Sequence, residues 1–370
     1  MEHAHEGRTR KKVLLLSRYD TLPAPSRYRF YQYLPYLAAR GIDVTIAPLL
    51  DNTFVRLQYS LKRHPMLHMP RLYMRRFVDL LRARHFDLVW LEKEALPWIP
   101  AWMERTLGLG RIPYVVDYDD AVFVTYNEGR PAIVRFLLGH KIASLMQSAA
   151  MVIAGNQYLT KYARDAGATK VETVPSVVDL DRYPIRPREI NNVFTMGWIG
   201  SPANSKHLRL IGDALASICR EGGAKLEVVG GWQTDMQDGV IVEYAPWSEA
   251  TEIEHLQRFD VGIMPLEDGP WESGKCGLKI IQYMAAGLPV VASPVGVNAE
   301  LVQHGVNGFL AETNSDWVAA LMTLRDDPTL RQRMGDMGRR KVMQKYCLQV
   351  TGPRMASLLA GVMEQTNEPV

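Results

Sequence analysis

Cysteine is scarce: the 370 residues hold three, at 219, 276 and 347, with no CxxC or Cys/His spacing among them. Neither a disulfide framework nor a structural zinc site is therefore expected, and a reducing compartment fits. Long apolar runs are also missing. The longest early candidate, VLLLSRYD at 13–20, has four apolar residues before charge sets in, too few for a bilayer span or a signal-peptide core. The expectation is a cytoplasmic protein. The glycine templates of dinucleotide enzymes and P-loop NTPases, GxGxxG and GxxxxGK[ST], do not occur, so those two classes lose support. Short repeats and low-complexity tracts are absent too. His3 and His5 lie in a polar, basic start that reads as a frayed tail rather than a metal site.

What is present describes a globular chain. Apolar residues make up 47% and charged residues 22%, a balance that supports a sizeable core. At this length a single core would be unusually large, so two domains are predicted. Net charge is only +3, yet residues 1–105 carry 18 Lys and Arg against 10 Asp and Glu. The excess is densest at 54–84, where arginines alternate with Phe54, Leu57, Leu72, Met74, Phe77 and Leu81. Such a basic amphipathic pattern suits an anionic membrane surface or a phosphate-bearing acceptor, and equally a pair of ordinary helices with solvated basic faces. No recognition motif accompanies the charge, so nucleic acid is not expected as a partner.

Short β-branched runs alternate with helical stretches along most of the chain, the pattern of parallel βαβ units. Strands are predicted at 13–16, 44–46, 88–91, 114–116, 152–153 and 171–174, with helices at 27–40, closed by Gly41, and 157–166, closed by Gly167. A stretch with two prolines and no apolar period, 181–192, marks a linker. A second series then follows: strands at 193–199, 226–229, 240–244, 261–265 and 290–292, and helices at 208–220 and 278–286, with a wholly helical end after Trp317. The expected division is 1–185, 186–345, and a terminal helix at 346–370 packed back on the first domain. Two facing doubly wound sheets leave a cleft at the carboxyl ends of their strands, and the chemistry is sought there.

Three constellations fall at such ends. The run GWIGSPANSK places Gly200 and Ser201 in a small-residue turn after a strand, with Lys206 in the helix it opens. Backbone amides, a helix start and a lysine together suit a phosphate; a solvated first-turn lysine is the plainer reading. The second is richer. After the strand at 261–265 comes a polar loop holding Gly274, Lys275, Cys276 and Gly277, and then a helix with Lys279 and Gln282. Two lysines four apart share a helix face, and Gln282 lies three further on, free to reach ribose hydroxyls. An ordinary core helix with lysines on its wet side would look the same. Third, VDYDD ends a strand with Asp117, Asp119 and Asp120. A carboxylate there suits orienting an acceptor hydroxyl and taking its proton; a divalent metal and a strand-end cap are the alternatives. Arg27 and Arg29, after the first strand, suit an acceptor phosphate or the donor diphosphate, or else flank a core helix as surface arginines.

The run MAAGLPVVAS at 284–293, with Gly305 and Gly308 in GVNGF, resembles the donor region of the family 4 (group 1) retaining glycosyltransferases, and the likeness extends through 200–206 and 156–179. It implies the α/β GT-B fold, two Rossmann-like domains, and transfer of a sugar from a nucleotide-diphosphate donor to a saccharide or lipid-linked acceptor with retention of configuration. The donor is then a substrate, no cofactor or metal is required, and a role in polysaccharide biosynthesis at the inner face of the membrane follows. By position, Lys206 and Lys275, with the N–H groups at 200–201 and 274–277, would hold the diphosphate, Lys279 would assist, Gln282 would hold the ribose, and Asp119 or Asp120 would face the acceptor. Family members usually carry two glutamates with seven residues between them, and an arginine in the first loop. Here Gly274, Gln282 and Ser201 stand at those places. The alternatives are a homologue that binds or scaffolds without transferring and, behind it, a sugar-nucleotide epimerase.

Overall fold

The computed structural model describes residues 10–61, 66–106, 112–185, 193–233 and 235–365. The chain divides into two compact units, Met1–Pro175 with Thr351–Val370, and Ser176–Val350. His3, His5, Lys62, Arg63 and residues 186–192 of the expected linker lie outside the described residues.

The first unit is built on six parallel strands, β1 (Lys11–Leu16), β2 (Ile42–Ile46), β3 (Leu88–Glu92), β4 (Tyr114–Tyr118), β5 (Met151–Ala154) and β6 (Val171–Thr173). Their order is β2-β1-β3-β4-β5-β6. The inner strands are apolar on both faces because helices cover both, and Val13, Leu88, Val115 and Val152 are wholly buried. All six predicted strands are found. The single helix expected at 27–40 is instead Ala24–Arg29, a 3-10 turn at Tyr31–Tyr33, and Leu34–Ala39. Pro35 sits in the first turn of the last piece, where its missing N–H costs nothing but where a continuous helix would need that donor. The helix at the carboxyl end returns to this unit: Thr351 Oγ1 lies 3.1 Å from the Tyr33 hydroxyl.

The second unit repeats the plan with β7 (Phe194–Ile199), β8 (Ala224–Val229), β9 (Val242–Ala245), β10 (Val261–Met264), β11 (Val290–Ala292) and β12 (Gly308–Leu310), in the order β12-β11-β10-β7-β8-β9. Its core gathers Met196, Trp198, Leu215, Ile263 and Leu321. β12 was not expected as a strand; it has three residues, opens on glycine, and pairs with β11 at the sheet's edge. The helix expected at 208–220 is a 3-10 stretch, Pro202–Ile211, followed by an α-helix, Gly212–Arg220. The unit begins ten residues ahead of the predicted boundary because 176–183 belongs to it: Val178 bridges to Cys347, and Tyr183 enters the Glu252 network described below.

In each sheet the strand order reverses at one place, between β1 and β3 and between β7 and β10. Two such neighbouring strands lead to helices on opposite faces of the sheet, so their first loops stand together at the carboxyl ends, where a ligand can bind.

Candidate donor site and acceptor-side carboxylates

β7 and β10 are neighbours, paired through Met196–Val261 and Gly197–Gly262. The 200–206 and 265–277 loops therefore leave the second sheet side by side. Both glycines are needed for the sheet to be covered: a Cβ on Gly197 would stand 1.9 Å from the Phe259 ring, and one on Gly262 2.2 Å from the Tyr283 ring.

The two loops touch. Asn204 donates to Ser201 Oγ at 2.8 Å, and Lys275 Nζ reaches Asn204 Oδ1 at 3.5 Å. Gly200 gives Lys279 its path: a Cβ there would meet Lys279 Cε at 2.4 Å. The Lys279 ammonium then lies 5.3 Å from the centre of the Trp198 ring. Lys206 is exposed, Lys275 and Lys279 are half-buried, and Ser201 is exposed. Gly277 adopts a left-handed conformation, φ 66°, at the start of the helix Leu278–Ala285, and no side chain caps that start. The first-turn N–H groups of such a helix have no partner within it. Cys276 is buried, its Sγ 3.9 Å from the Gly274 carbonyl.

The buried His207 feels the charge of all three lysines. Its pKa is pushed down to about 4, first by burial and then by Lys206, Lys275 and Lys279. Glu272 is 3.9 Å away. Since the unfolded value is near 6.5, the unfolded chain takes up a proton between pH 6.5 and 4 that the folded one refuses. Stability of the second unit is therefore expected to fall as pH drops through that window, by up to about 3 kcal/mol. Urea unfolding at pH 7 and 4.5 checks this: His207→Gln should lose less stability on acidification than the parent, and an identical loss would refute the assignment.

Two expectations need correction. The amides of Gly200, Gly274 and Lys275 are not turned toward a ligand, for they close the sheet and a tight turn by donating to Val229, Trp271 and Glu272 carbonyls. Gln282 is not an open amide either. It is buried, and its Nε2 donates to Glu252 Oε1 at 3.0 Å and lies 3.4 Å from the Tyr183 hydroxyl. Trp247 Nε1 donates to the other Glu252 oxygen at 2.8 Å. Sequence reasoning missed Glu252, which stands in the first turn of a helix as an unremarkable exposed-type residue would.

In the first unit, Asp119 and Asp120 both meet Lys93, at 2.8 and 2.9 Å. Lys93 follows β3, is buried, and has φ 62°, a conformation unfavourable for a residue with a Cβ. Burial disfavours its charge, but Asp119, Asp120 and Glu92 more than offset this and raise its pKa. Burial likewise opposes ionisation of Asp119, and Lys93 outweighs it, so its pKa is lowered. Lys93 went unrecognised in the sequence because its partners come from another strand. Arg29 is buried and donates to Asp117 Oδ1 from Nε and one terminal nitrogen, at 2.9 and 2.6 Å, and from the other to the Val174 carbonyl. It ties the sheet's carboxyl edge and is removed from any surface an acceptor could touch. Burial pushes Asp117 up to about 7, with Arg29 acting against the rise. Arg27 remains half-buried, its guanidinium 5.2 Å from the Tyr28 ring centre. Among the described residues no group of three or more His, Cys, Asp or Glu is placed to hold a metal ion.

Two Rossmann-like parallel sheets joined in one chain define the GT-B fold. The solved sucrose-phosphate synthase of Thermosynechococcus elongatus superposes with a TM-score of 0.69 at 16% identity, over 96% of this chain and 100% of that one. HepE of Anabaena, solved in complex with UDP and glucose, gives 0.69 at 19% identity over 95% and 100%. Residues 191–327 match the family described as glycosyl transferases group 1; the chain thus carries a group 1 glycosyl transferase domain, and the resemblance read from 284–293 holds. In sequence, D-inositol 3-phosphate glycosyltransferase of Pseudarthrobacter chlorophenolicus is 32% identical over 100 residues, 26% of this chain and 23% of that protein. Sucrose synthase 2 of Pisum sativum is 29% identical over 92 residues, 23% and 11% respectively. The chain therefore spans under a quarter of the length of these curated relatives.

Proposed function

We propose that the chain is a glycosyltransferase that holds a nucleotide-diphosphate sugar in the second unit and transfers the sugar, with retention and without a metal, to a hydroxyl of a saccharide or lipid-linked acceptor. The observation that carries this reading is the meeting of the 200–206 and 265–277 loops at the β7/β10 reversal, where Lys275 Nζ reaches Asn204 Oδ1 at 3.5 Å and Lys279 passes against Gly200 and Trp198, with His207 in electrostatic reach of Lys206, Lys275 and Lys279. Three lysines in and beside these loops favour an anion. A helix start adds to this. The bond to be broken is already activated, so the protein's work is to stabilise charge developing on the leaving diphosphate and to align the acceptor. Lysines supply the positive charge that a bound metal ion would otherwise have to supply. In the first unit, Lys93 holds Asp119 and Asp120 by ion pairs at 2.8 and 2.9 Å, which orients both carboxylates for the acceptor, and it favours the ionised form of Asp119. The neighbour solved with UDP and glucose supports a nucleotide-sugar donor, and the matching family supports transfer.

Thermal unfolding with UDP-, GDP- and ADP-sugars tests the donor. One base class at 100 times its Kd should stabilise the protein by about 2.7 kcal/mol; no shift with any of the three at millimolar concentration defeats the reading. Gly274 and Gln282, at the places of the usual glutamates, favour the non-transferring alternative. Stabilisation with neither transfer nor donor hydrolysis would establish that alternative instead.

A further inference from the structure

The first unit carries large apolar side chains that no core absorbs. Helix Met69–Arg82 buries Leu72, Arg76 and Leu80, with Arg76 donating to the Ser17 carbonyl. Its opposite side presents Met74, Phe77, Val78 and Leu81 to solvent, and the preceding 3-10 turn adds Leu67, 94% exposed. A second helix, Ala132–Leu138, reads AIVRFLL, yet only Leu138 is buried; Ile133 and Leu137 are exposed and Phe136 is 82% exposed. Between them in the chain come Trp98 and Trp102, 48% and 65% exposed.

These segments adjoin. The Tyr73 hydroxyl donates to the Pro97 carbonyl at 2.7 Å, Trp98 N–H donates to the Tyr126 hydroxyl at 3.0 Å, and the Arg130 guanidinium lies 5.1 Å from the centre of the Trp98 ring. Basic residues border the apolar ones. Arg71, Arg82, Arg84, Arg105, Arg130 and Arg135 are exposed, whereas helix Met69–Arg82 has a single acid, Asp79.

We propose that this face docks the protein on an anionic lipid surface. Soluble chains rarely leave so many large apolar groups in water. Here they project from three helices, a 3-10 turn and a loop, so the surface suits a fluid that moulds around side chains better than a preshaped protein partner. Leu67, Met74, Trp102 and Phe136 enter the boundary between headgroups and acyl chains, and the arginines stay at the lipid phosphates. Among the described residues no helix is long and apolar enough to cross a membrane, so the contact is peripheral. The inference concerns the first unit and is independent of the donor reading.

Co-sedimentation of the full chain with phosphatidylcholine vesicles, with and without 30 mol% phosphatidylglycerol, tests it. The expected result is binding to the anionic vesicles only, released by salt. Arg71→Gln with Arg82→Gln should weaken it about 20-fold, taking about fivefold for each charge near the surface. Phe136→Ser with Leu137→Ser should weaken it tenfold or more. These positions are exposed, so unfolding temperatures should hold; if the second pair unfolds, Leu67→Ser with Met74→Ser takes its place. No sedimentation with anionic vesicles, or parental binding by both kinds of variant, overturns the proposal. So does a dimer of the parent that the serine variants dissociate, which would make the face an interface between copies.

Discussion

Lys275→Ala is expected to slow transfer from a nucleotide-sugar donor by about 100-fold or more, with the second unit folded as before. Removing one preorganised charge from a developing anion typically costs rate on that scale, because the group acts on charge that appears only as the bond breaks. Stability should hardly change. The side chain is half-buried, and its approaches to Asn204, at 3.5 Å, and to the Trp271 ring, at 6.0 Å, are long. Lys206→Ala should act in the same direction with a smaller effect, since Lys206 is exposed and solvent screens it. If both residues act on one diphosphate, as proposed, the double variant should lose less than the product of the single losses. Steady-state kinetics at saturating donor decide the matter, and parental turnover in both variants would remove the diphosphate site from this part of the sheet.

The second large effect is on folding. Gly335 lies inside the helix Pro328–Lys345, where alanine is ordinarily preferred by about 1 kcal/mol. Tertiary packing reverses that preference. A Cβ on Gly335 would stand 1.9 Å from the Gly287 carbonyl oxygen and 2.7 Å from its carbon. The obstacle is backbone, with Gly287 itself held in a left-handed turn that closes the helix Leu278–Ala285. Gly335→Ala must therefore push two helices apart, at a cost of about 3 kcal/mol, or roughly 6–12 °C in a unit of this size. Lys279 stands on the displaced helix, so donor affinity should fall with stability. Gly361 is the control: it too is helical, but nothing lies within 4 Å of its Cβ position. Gly361→Ala should leave the unfolding temperature unchanged or raise it. Equal behaviour of the two variants by calorimetry would contradict the close approach.

The alternation of β-branched runs with helical stretches was enough for the fold class. A parallel strand buried on both faces is a continuous apolar word, as in VLLL at 13–16 and VVA at 290–292, and it needs no distant partner to be read. The 3-10 stretch at Pro202–Ile211 and the broken helix before Gly41 were not legible, because their hydrophobic period is that of a helix while their prolines and packing set the actual turn. Cations after strands were legible as a residue type in a suitable place. Their partners were not. Lys93 meets carboxylates 26 and 27 positions away, Arg29 meets Asp117, and Gln282 meets Glu252.

Sequence alone determined that two α/β units exist, which loops follow their strands, and that one of those loops belongs to a group 1 glycosyl transferase domain. Local chemistry suffices for these, since propensity, period and turn residues act within a few positions. Tertiary structure alone decided that β7 and β10 are neighbours, that the loop carrying Lys275 meets the loop carrying Asn204, and that Gln282 and Arg29 face inward. The reason is that a charge is shaped by what stands within a few ångströms of it, and in a parallel sheet those neighbours arrive from segments tens of residues apart.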